Sequence, residues 1–321
     1  MIIQKKILLR VPILMFVLLF SCCIGACSSL FAFGNTTNVK LTTSKNLKLS
    51  TQNLWGKSTS IVLDYFDRID VDVLCAQECS RISETQIKSK GLYVHSHSNN
   101  GQGKCCIISR YPFRGTTPNK YGVYVDLGGG VVVLVMNCHG AFYPYGPYQL
   151  NGIEYRGYSG TDDVEYVEKV NRKARQDMVV KLLEDFTSAT TPFVCLSGDF
   201  NEPSWLDWTV STQQAGLTPY VVRWPTIYSL WKGGIKGDAY RTIHPDPVAN
   251  PGYTWTTRPS KQDTKDRLDI TLYTQSPKMK VKSCQIIGES KETSDIVLCN
   301  WKPFDEVFDH RGLRTVFVLM K

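Results

Sequence analysis

The run Cys195-Leu196-Ser197-Gly198-Asp199-Phe200-Asn201-Glu202-Pro203 limits the possible folds most sharply. Apolar residues 192–196 read as a buried strand, which stops at a glycine followed by short oxygen-bearing side chains and a proline. Alternation sends Asp199 and Asn201 to one side and Phe200 back to the core. In an α/β protein, ligands collect at the carboxyl ends of strands. Two oxygen-bearing side chains converging there suit a hard divalent cation and a phosphate oxygen. A surface turn in which both side chains satisfy backbone amides fits the same residues, so the other segments must choose.

Several of those segments end in the same way. From about Lys48, Leu49, Thr51 and Asn53 alternate with outward residues, and residues 60–68 have helical apolar spacing. The strand 71–76 ends in Gln77-Glu78. A hairpin over 121–127 and 131–137, turning at Gly128-Gly129-Gly130, ends in Asn137-Cys138-His139, with Asn137 and His139 on one face. A strand beginning near Asp266 puts Arg267 and Asp269 on one side, and Asp309-His310 immediately precedes the closing strand 315–320. Between these lie a short helix at 81–89, another at 209–215 and a long one at 161–186. The apolar stripe of the long helix is Val164, Val167, Val170, Ala174, Met178, Leu182 and Phe186, with Arg172, Arg175 and Gln176 off it.

Phosphodiester hydrolysis without a protein nucleophile needs an ordered water, a cation to draw off charge and donors for the transition state. Glu78 and Asp309, helped by Asn53, can hold one or two Mg²⁺ or Mn²⁺ ions. His310 beside Asp269 has the makings of a charge-supported imidazole. Residues 142–158 interleave six aromatic rings, Tyr145 and Tyr148 among them, with Gly and Pro, which excludes a regular helix or central strand and suits a pocket wall or a self-packed loop. Residues 217–252 are loop-rich and carry Arg241 and His244. With Asn137 and Arg267, these are the candidate substrate contacts.

Composition bounds the rest. The formal charge is +8, and without the leader cations Lys5, Lys6 and Arg10 it is about +5, scattered rather than striped; a polyanionic substrate is permitted but not demanded. Residues 1–10 are basic and 11–24 almost wholly apolar, the pattern of a secretory signal. Ile24-Gly25-Ala26-Cys27 also resembles a bacterial lipoprotein cleavage box, and a retained anchor is the third outcome the stretch allows. The expected organisation is a signal or lipoprotein signal at 1–27, a flexible lead-in at 28–47 and one catalytic domain at 48–321, outside the cytoplasm and monomeric. Asn35 heads a glycosylation sequon. Of eleven cysteines, eight lie beyond the leader with no zinc-like spacing; buried thiols explain Cys106, Cys138 and Cys195, and a Cys284–Cys299 disulfide is conceivable.

The chain resembles the endonuclease/exonuclease/phosphatase superfamily, which includes pancreatic-type deoxyribonuclease, base-excision repair endonucleases, inositol-phosphate 5-phosphatases and neutral sphingomyelinases. The resemblance is carried, in family order, by Asn53 with Trp55, Gln77-Glu78, Ser109-Arg110-Tyr111-Pro112, Asn137-Cys138-His139, Gly198-Asp199-Phe200-Asn201, Arg267-Leu268-Asp269 and Asp309-His310-Arg311. It implies a four-layer α/β/β/α sandwich of two packed mixed β-sheets. It makes Glu78 the principal metal carboxylate and Asn53 and Asp309 supporting ligands. Asp199 and Asn201 then orient water or a second cation and bind phosphate, His310 held by Asp269 does acid/base or phosphate-stabilising work, and His139 contacts phosphate. Phe308 stands where the family usually has serine. Residues 198–208, with the Pro144-Tyr145-Gly146-Pro147-Tyr148 and His244-Pro245-Asp246-Pro247 stretches, look like a secreted or lipoprotein branch of unassigned substrate.

The leading expectation is a secreted phosphoesterase acting on a small organic phosphate or phosphodiester. A nuclease acting on DNA or RNA is the next, then a lipid or sphingomyelin-type phosphodiesterase, which would meet a membrane through its substrate or a lipid anchor. A noncatalytic binding protein on the same scaffold is disfavoured because every chemically indispensable position is occupied.

Overall fold

The computed structural model describes residues 44–98, 102–260, 263–298 and 300–321. The leader, the sequon and Cys299 lie outside them. Runs of β-branched and aliphatic residues form two sheets. The first has seven strands in the order β12 (Ile296–Val297), β11 (Met279–Gly288), β13 (Gly312–Met320), β1 (Ser44–Asn53), β2 (Val73–Gln77), β4 (Lys104–Ser109) and β3 (Tyr93–Ser98). The second has six, in the order β5 (Phe113–Thr116), β6 (Gly122–Asp126), β7 (Val132–His139), β8 (Val194–Asp199), β10 (Asp269–Tyr273) and β9 (Gly237–Asp238). Both are mixed: β1 runs parallel to β2 and antiparallel to β13, while β7 runs parallel to β8 and β10 antiparallel to it.

Period-two alternation gives each central strand two apolar faces. Leu49, Val73, Cys75 and Ile107 of the first sheet meet Val123, Val133, Val135 and Cys195 of the second in the inner layer. The alternate residues Leu74, Ala76 and Ile108 face α1 (Thr59–Arg68) and α2 (Glu84–Lys88), whose Val62, Tyr65, Phe66 and Ile87 cover them, with Phe304 and Val307 of α8 (Phe304–Val307) in the same layer. On the far side, Met178 and Leu182 of α4 (Val164–Thr187) and Ile227 and Leu230 of α6 (Pro225–Lys232) cover Leu134, Met136, Leu196 and Ile270. Three apolar interfaces make four layers, the expected sandwich. The connections hold α3 (Gly146–Leu150), α5 (Val210–Gln214) and α7 (Ala239–Ile243).

Four local expectations are corrected. The first described strand already pairs over Ser44–Leu47, ahead of the expected Lys48, because these residues join the carboxyl-terminal strand and Leu47 is buried. α4 starts at Val164, with the Asp163 carboxylate accepting from Tyr166 N at 2.8 Å. Its buried stripe is Val167, Asn171, Arg175, Met178, Leu182 and Asp185, while Ala174 is exposed. The period holds, but polar residues occupy the face because they have partners there: Asp185 accepts from Thr117 Oγ1 at 2.5 Å and from the backbone N–H groups of Asn119 and Tyr121. Finally, residues 142–158 contain a short helix with proline in its first turn, where a missing N–H costs nothing, and 217–252 contain α6 and α7.

Candidate active site

Parallel pairing within each sheet brings strand ends to one edge. β1 ends at Asn53, β2 at Gln77 just before Glu78, β7 at His139 and β8 at Asp199. In register, Asp199 sits between His139 on one neighbouring strand and Asp269 on the other. Asp309 and His310 arrive from the loop before β13. Trp55, Glu78 and Asn201, each just past a strand end, take left-handed backbone conformations with φ of 46°, 55° and 49°. Strain of this kind in non-glycine residues concentrates at functional sites.

Asp199 is the hub. Its Oδ2 accepts from Asn53 Nδ2 at 3.1 Å and Asn201 Nδ2 at 3.3 Å, and lies 3.5 Å from His139 Nε2 and 3.7 Å from His310 Nε2. Its Oδ1 accepts the Asn201 N–H at 2.8 Å. His310 Nδ1 pairs with Asp269 Oδ2 at 2.9 Å, and His139 Nδ1 with the Gln102 carbonyl at 2.8 Å. The charges follow from these contacts. Burial alone would push the Asp199 carboxyl up, yet His310 and His139 hold it well below the usual carboxylate range. Burial would likewise depress His310, but Asp269 and Asp199 lift it to about 10. Burial raises Asp269 to about 6 against the pull of His310.

Burial, with the charge of Glu78, also raises Asp309, and its Oδ1 is buried with no hydrogen-bond partner. A buried carboxylate oxygen without a donor, beside a second carboxylate, fits a hard divalent cation. The ligand atoms of Asp199, Asp269 and His310 also lie within 4.8 Å of one another, and Asp269 Oδ1 is likewise buried without a hydrogen-bond partner. Glu78 and Asp309 both line the open cleft and Asp269 does not, so the Glu78–Asp309 side is the more accessible to an ion. Asn53 engages both neighbouring carboxylates directly. Its Oδ1 accepts the Trp55 N–H at 2.9 Å, and its amide nitrogen donates to both Glu78 and Asp199, clamping the two carboxylates together.

These groups floor a cleft of about 520 Å³ whose walls include Trp55, Phe142, Tyr145, Tyr148, Tyr155, Arg156 and Trp255. Tyr145 and Tyr148 meet edge to face at 4.7 Å, and their hydroxyls donate to Asp266 at 2.7 Å and Asp263 at 2.5 Å. The Trp255 ring lies 4.8 Å from that of His310.

Four expected substrate contacts do not reach the cleft. Asn137 clasps the two sheets, donating to the Ala76 and Cys106 carbonyls and accepting from Gln77. Arg267, fully buried, bridges Asp207 and Asp238, and Arg241 pairs with Asp207 and three backbone carbonyls. His244 packs on Tyr240 and faces the Cys284 carbonyl at 3.1 Å. Each belongs to a buried polar network behind the strand ends. Arg175, read on sequence as off the stripe and either solvated or reaching the active end, is the strut of the site: it donates to the carbonyls of Ala141, Pro144, Phe200 and Asn201. Its spacing from Val167, Asn171 and Met178 was the available signal. Trp55, Arg156 and Trp255 were likewise not singled out as cleft residues. Phe308 is buried 5.1 Å from the Tyr65 ring, so the departure from serine fills the outer apolar layer. Cys284 is buried with Sγ 3.2 Å from Thr315 Oγ1.

Residues 50–295 match the sequence profile of the Endonuclease/Exonuclease/phosphatase family. The chain belongs to that family. Its members are metal-dependent phosphoester hydrolases, nucleases and phosphatases among them, and this chain is one of these enzymes. It is 25% identical over 257 residues to an uncharacterized protein of Caenorhabditis elegans, covering 72% of this chain and 79% of that protein. The fold is shared with the 3′ phosphatase NExo from Neisseria bound to product DNA hairpin, at 15% identity and TM-score 0.52 over 84% of this chain and 98% of that one. It is also shared with an endonuclease/exonuclease/phosphatase from Beutenbergia cavernae, at 14% identity and TM-score 0.50 over 85% and 72%.

Proposed function

We propose that this phosphoesterase acts outside the cytoplasm on a small organic phosphate or phosphodiester that carries a planar ring, using water as the nucleophile. The observation that supports this most directly is the enclosure of the carboxylate and histidine floor by aromatic walls, in a cleft of about 520 Å³ that suits a small-molecule ligand. Glu78 and Asp309 would hold Mg²⁺ or Mn²⁺, which supplies charge neutralisation at the phosphate. Asp199, kept ionised, orients the attacking water together with Asn201. His310, held protonated by Asp269 and Asp199, and His139 donate to phosphate oxygens as negative charge builds on them. The location outside the cytoplasm rests on the leader at residues 1–27.

A nuclease is the second reading, favoured by the fold shared with an enzyme crystallised on DNA. The deciding experiment is a metal-supplemented screen over sugar and inositol phosphates, nucleotides, choline lipids and long DNA and RNA, with His310→Ala as the blank. Turnover of a ring-bearing small phosphate that the blank lacks is the expected result. Hydrolysis confined to long polymers, and suppressed by salt, would transfer the assignment to the nuclease reading.

A further inference from the structure

The outer face of the second sheet carries a ring cluster that the reaction does not use. Tyr228 and Trp231, one turn apart on α6, stack with centroids 5.9 Å apart and planes 12° apart. Trp205 meets them edge-on at 5.5 and 5.6 Å. All three are part exposed, and Trp205 packs against the apolar layer beneath, so the cluster is braced. Three cations lie against it, Arg223 at 5.1 Å and Lys232 at 5.7 Å from the Tyr228 ring and Lys236 at 5.8 Å from Trp231, and a fourth, Arg172, has Nη1 3.5 Å from Oγ of the adjoining Ser229. Among the described residues none of the four makes an ion pair within 4.0 Å. The neighbouring acid, Glu168, accepts the Arg223 backbone N–H at 3.1 Å.

Arg223, Lys232 and Lys236 lie against the part-exposed rings rather than against carboxylates. Flat rings whose neighbours are unpaired cations match a ligand that alternates π-faces with negative charges. A base stacks on the ring, and the displaced cation meets the adjoining phosphate. A lipid surface also takes Trp, Tyr and Lys, but a membrane anchor inserts, whereas these rings are partly sunk in a rigid layer. The location favours a strand as well. Trp205 follows Asn201 by four residues, so their Cα atoms lie at most about 14 Å apart and the cluster lies near the cleft without sharing it.

We propose that Trp205, Tyr228 and Trp231, with Arg172, Arg223, Lys232 and Lys236, form a binding surface for single-stranded nucleic acid outside the catalytic cleft. Binding there needs neither the cation nor turnover. The test is fluorescence anisotropy of the full chain with a labelled 20-nucleotide single strand, in EDTA, across a salt series. The parent should bind with a dissociation constant on the order of 1–100 µM, weakening with salt by roughly −0.7 in log–log slope per cation engaged. The Tyr228→Ala/Trp231→Ala double variant should bind at least about tenfold more weakly, a stacking loss of the size seen for bases on aromatic rings. Tyr228→Phe should bind like the parent, which separates ring loss from misfolding, and all variants should hydrolyse a small chromogenic phosphodiester at the parent rate. No strand binding by the parent, undiminished binding by the double variant, or ring-dependent capture of phosphatidylglycerol vesicles in place of the strand would each overturn the proposal. A protein that binds the strand but hydrolyses no phosphoester would keep this surface and sink the proposed reaction.

Discussion

At the scale of single residues, the site is a set of charges that hold one another in place. Removing Glu78 takes away a carboxylate facing Asp309. Glu78→Ala should therefore lower turnover by roughly 10²-fold or more, with little loss of stability because Glu78 is part exposed. Calorimetric titration with Mn²⁺ checks the cause, since unchanged affinity would remove Glu78 from the metal side. His310 offers a pH signature. Its folded value near 10 lies above the ordinary 6.5, so its stabilisation is complete below pH 6.5 and disappears as pH rises to 10. Asp269 is raised to about 6, so its opposing effect is finished before that window opens. In EDTA, the melting-temperature deficit of His310→Asn relative to the parent should be widest near pH 6 and close toward pH 10. A deficit constant across that range would show that His310 is not held charged.

At the scale of elements, the site depends on how tightly two strand ends and one helix are tied. β7 and β8 meet beyond their ends so closely that a Cβ on Gly140 would lie 2.0 Å from the Phe200 carbonyl oxygen. Gly140→Ala should cost on the order of 2–4 kcal/mol, read by denaturant unfolding, because backbone rather than a flexible side chain must move. Arg175 ties α4 to the same corner. Arg175→Met keeps the volume but strips donors from the Ala141, Pro144 and Asn201 carbonyls, and should cost about 3 kcal/mol while lowering turnover. A stable variant with reduced turnover would show that the strut matters only for positioning. The helix illustrates the limit of reading periods in sequence. The 3.6-residue spacing was legible in α4, but its occupants were taken as Val170 and Ala174 because apolar residues are the usual ones. Asn171, Arg175 and Asp185 were chosen instead by acceptors and donors on other strands, which spacing along one helix does not display.

At the scale of the whole molecule, the cation should tie together distant parts of the chain within the first sheet, since Glu78 follows β2 and Asp309 precedes β13. Adding Mg²⁺ or Mn²⁺ to metal-free protein should raise the melting temperature and restore turnover, and removing Glu78 should abolish both responses together. Stabilisation without turnover would place the ion elsewhere. The central strands, the longest helix and the residues at strand ends were readable along the chain, because alternation and turn chemistry are local; α3, α6 and α7 were not. That much put Glu78, His139, Asp199, Asn201, Asp269, Asp309 and His310 at or beside strand ends, while the four-layer sandwich was implied by the family resemblance. Which polar residues face the cleft was decided only by tertiary structure. Asn137, Arg267, Arg241 and His244 look as reactive in sequence as His139 does, yet each is consumed by partners on other segments, from 34 to 61 positions away. Asn53 was legible as a site residue but not as a donor, because the direction of its amide is set by Trp55 N–H and by two carboxylates from other strands. Burial and the competition for hydrogen bonds are properties of the packed chain, and they separate a residue that holds the fold from one that meets the substrate.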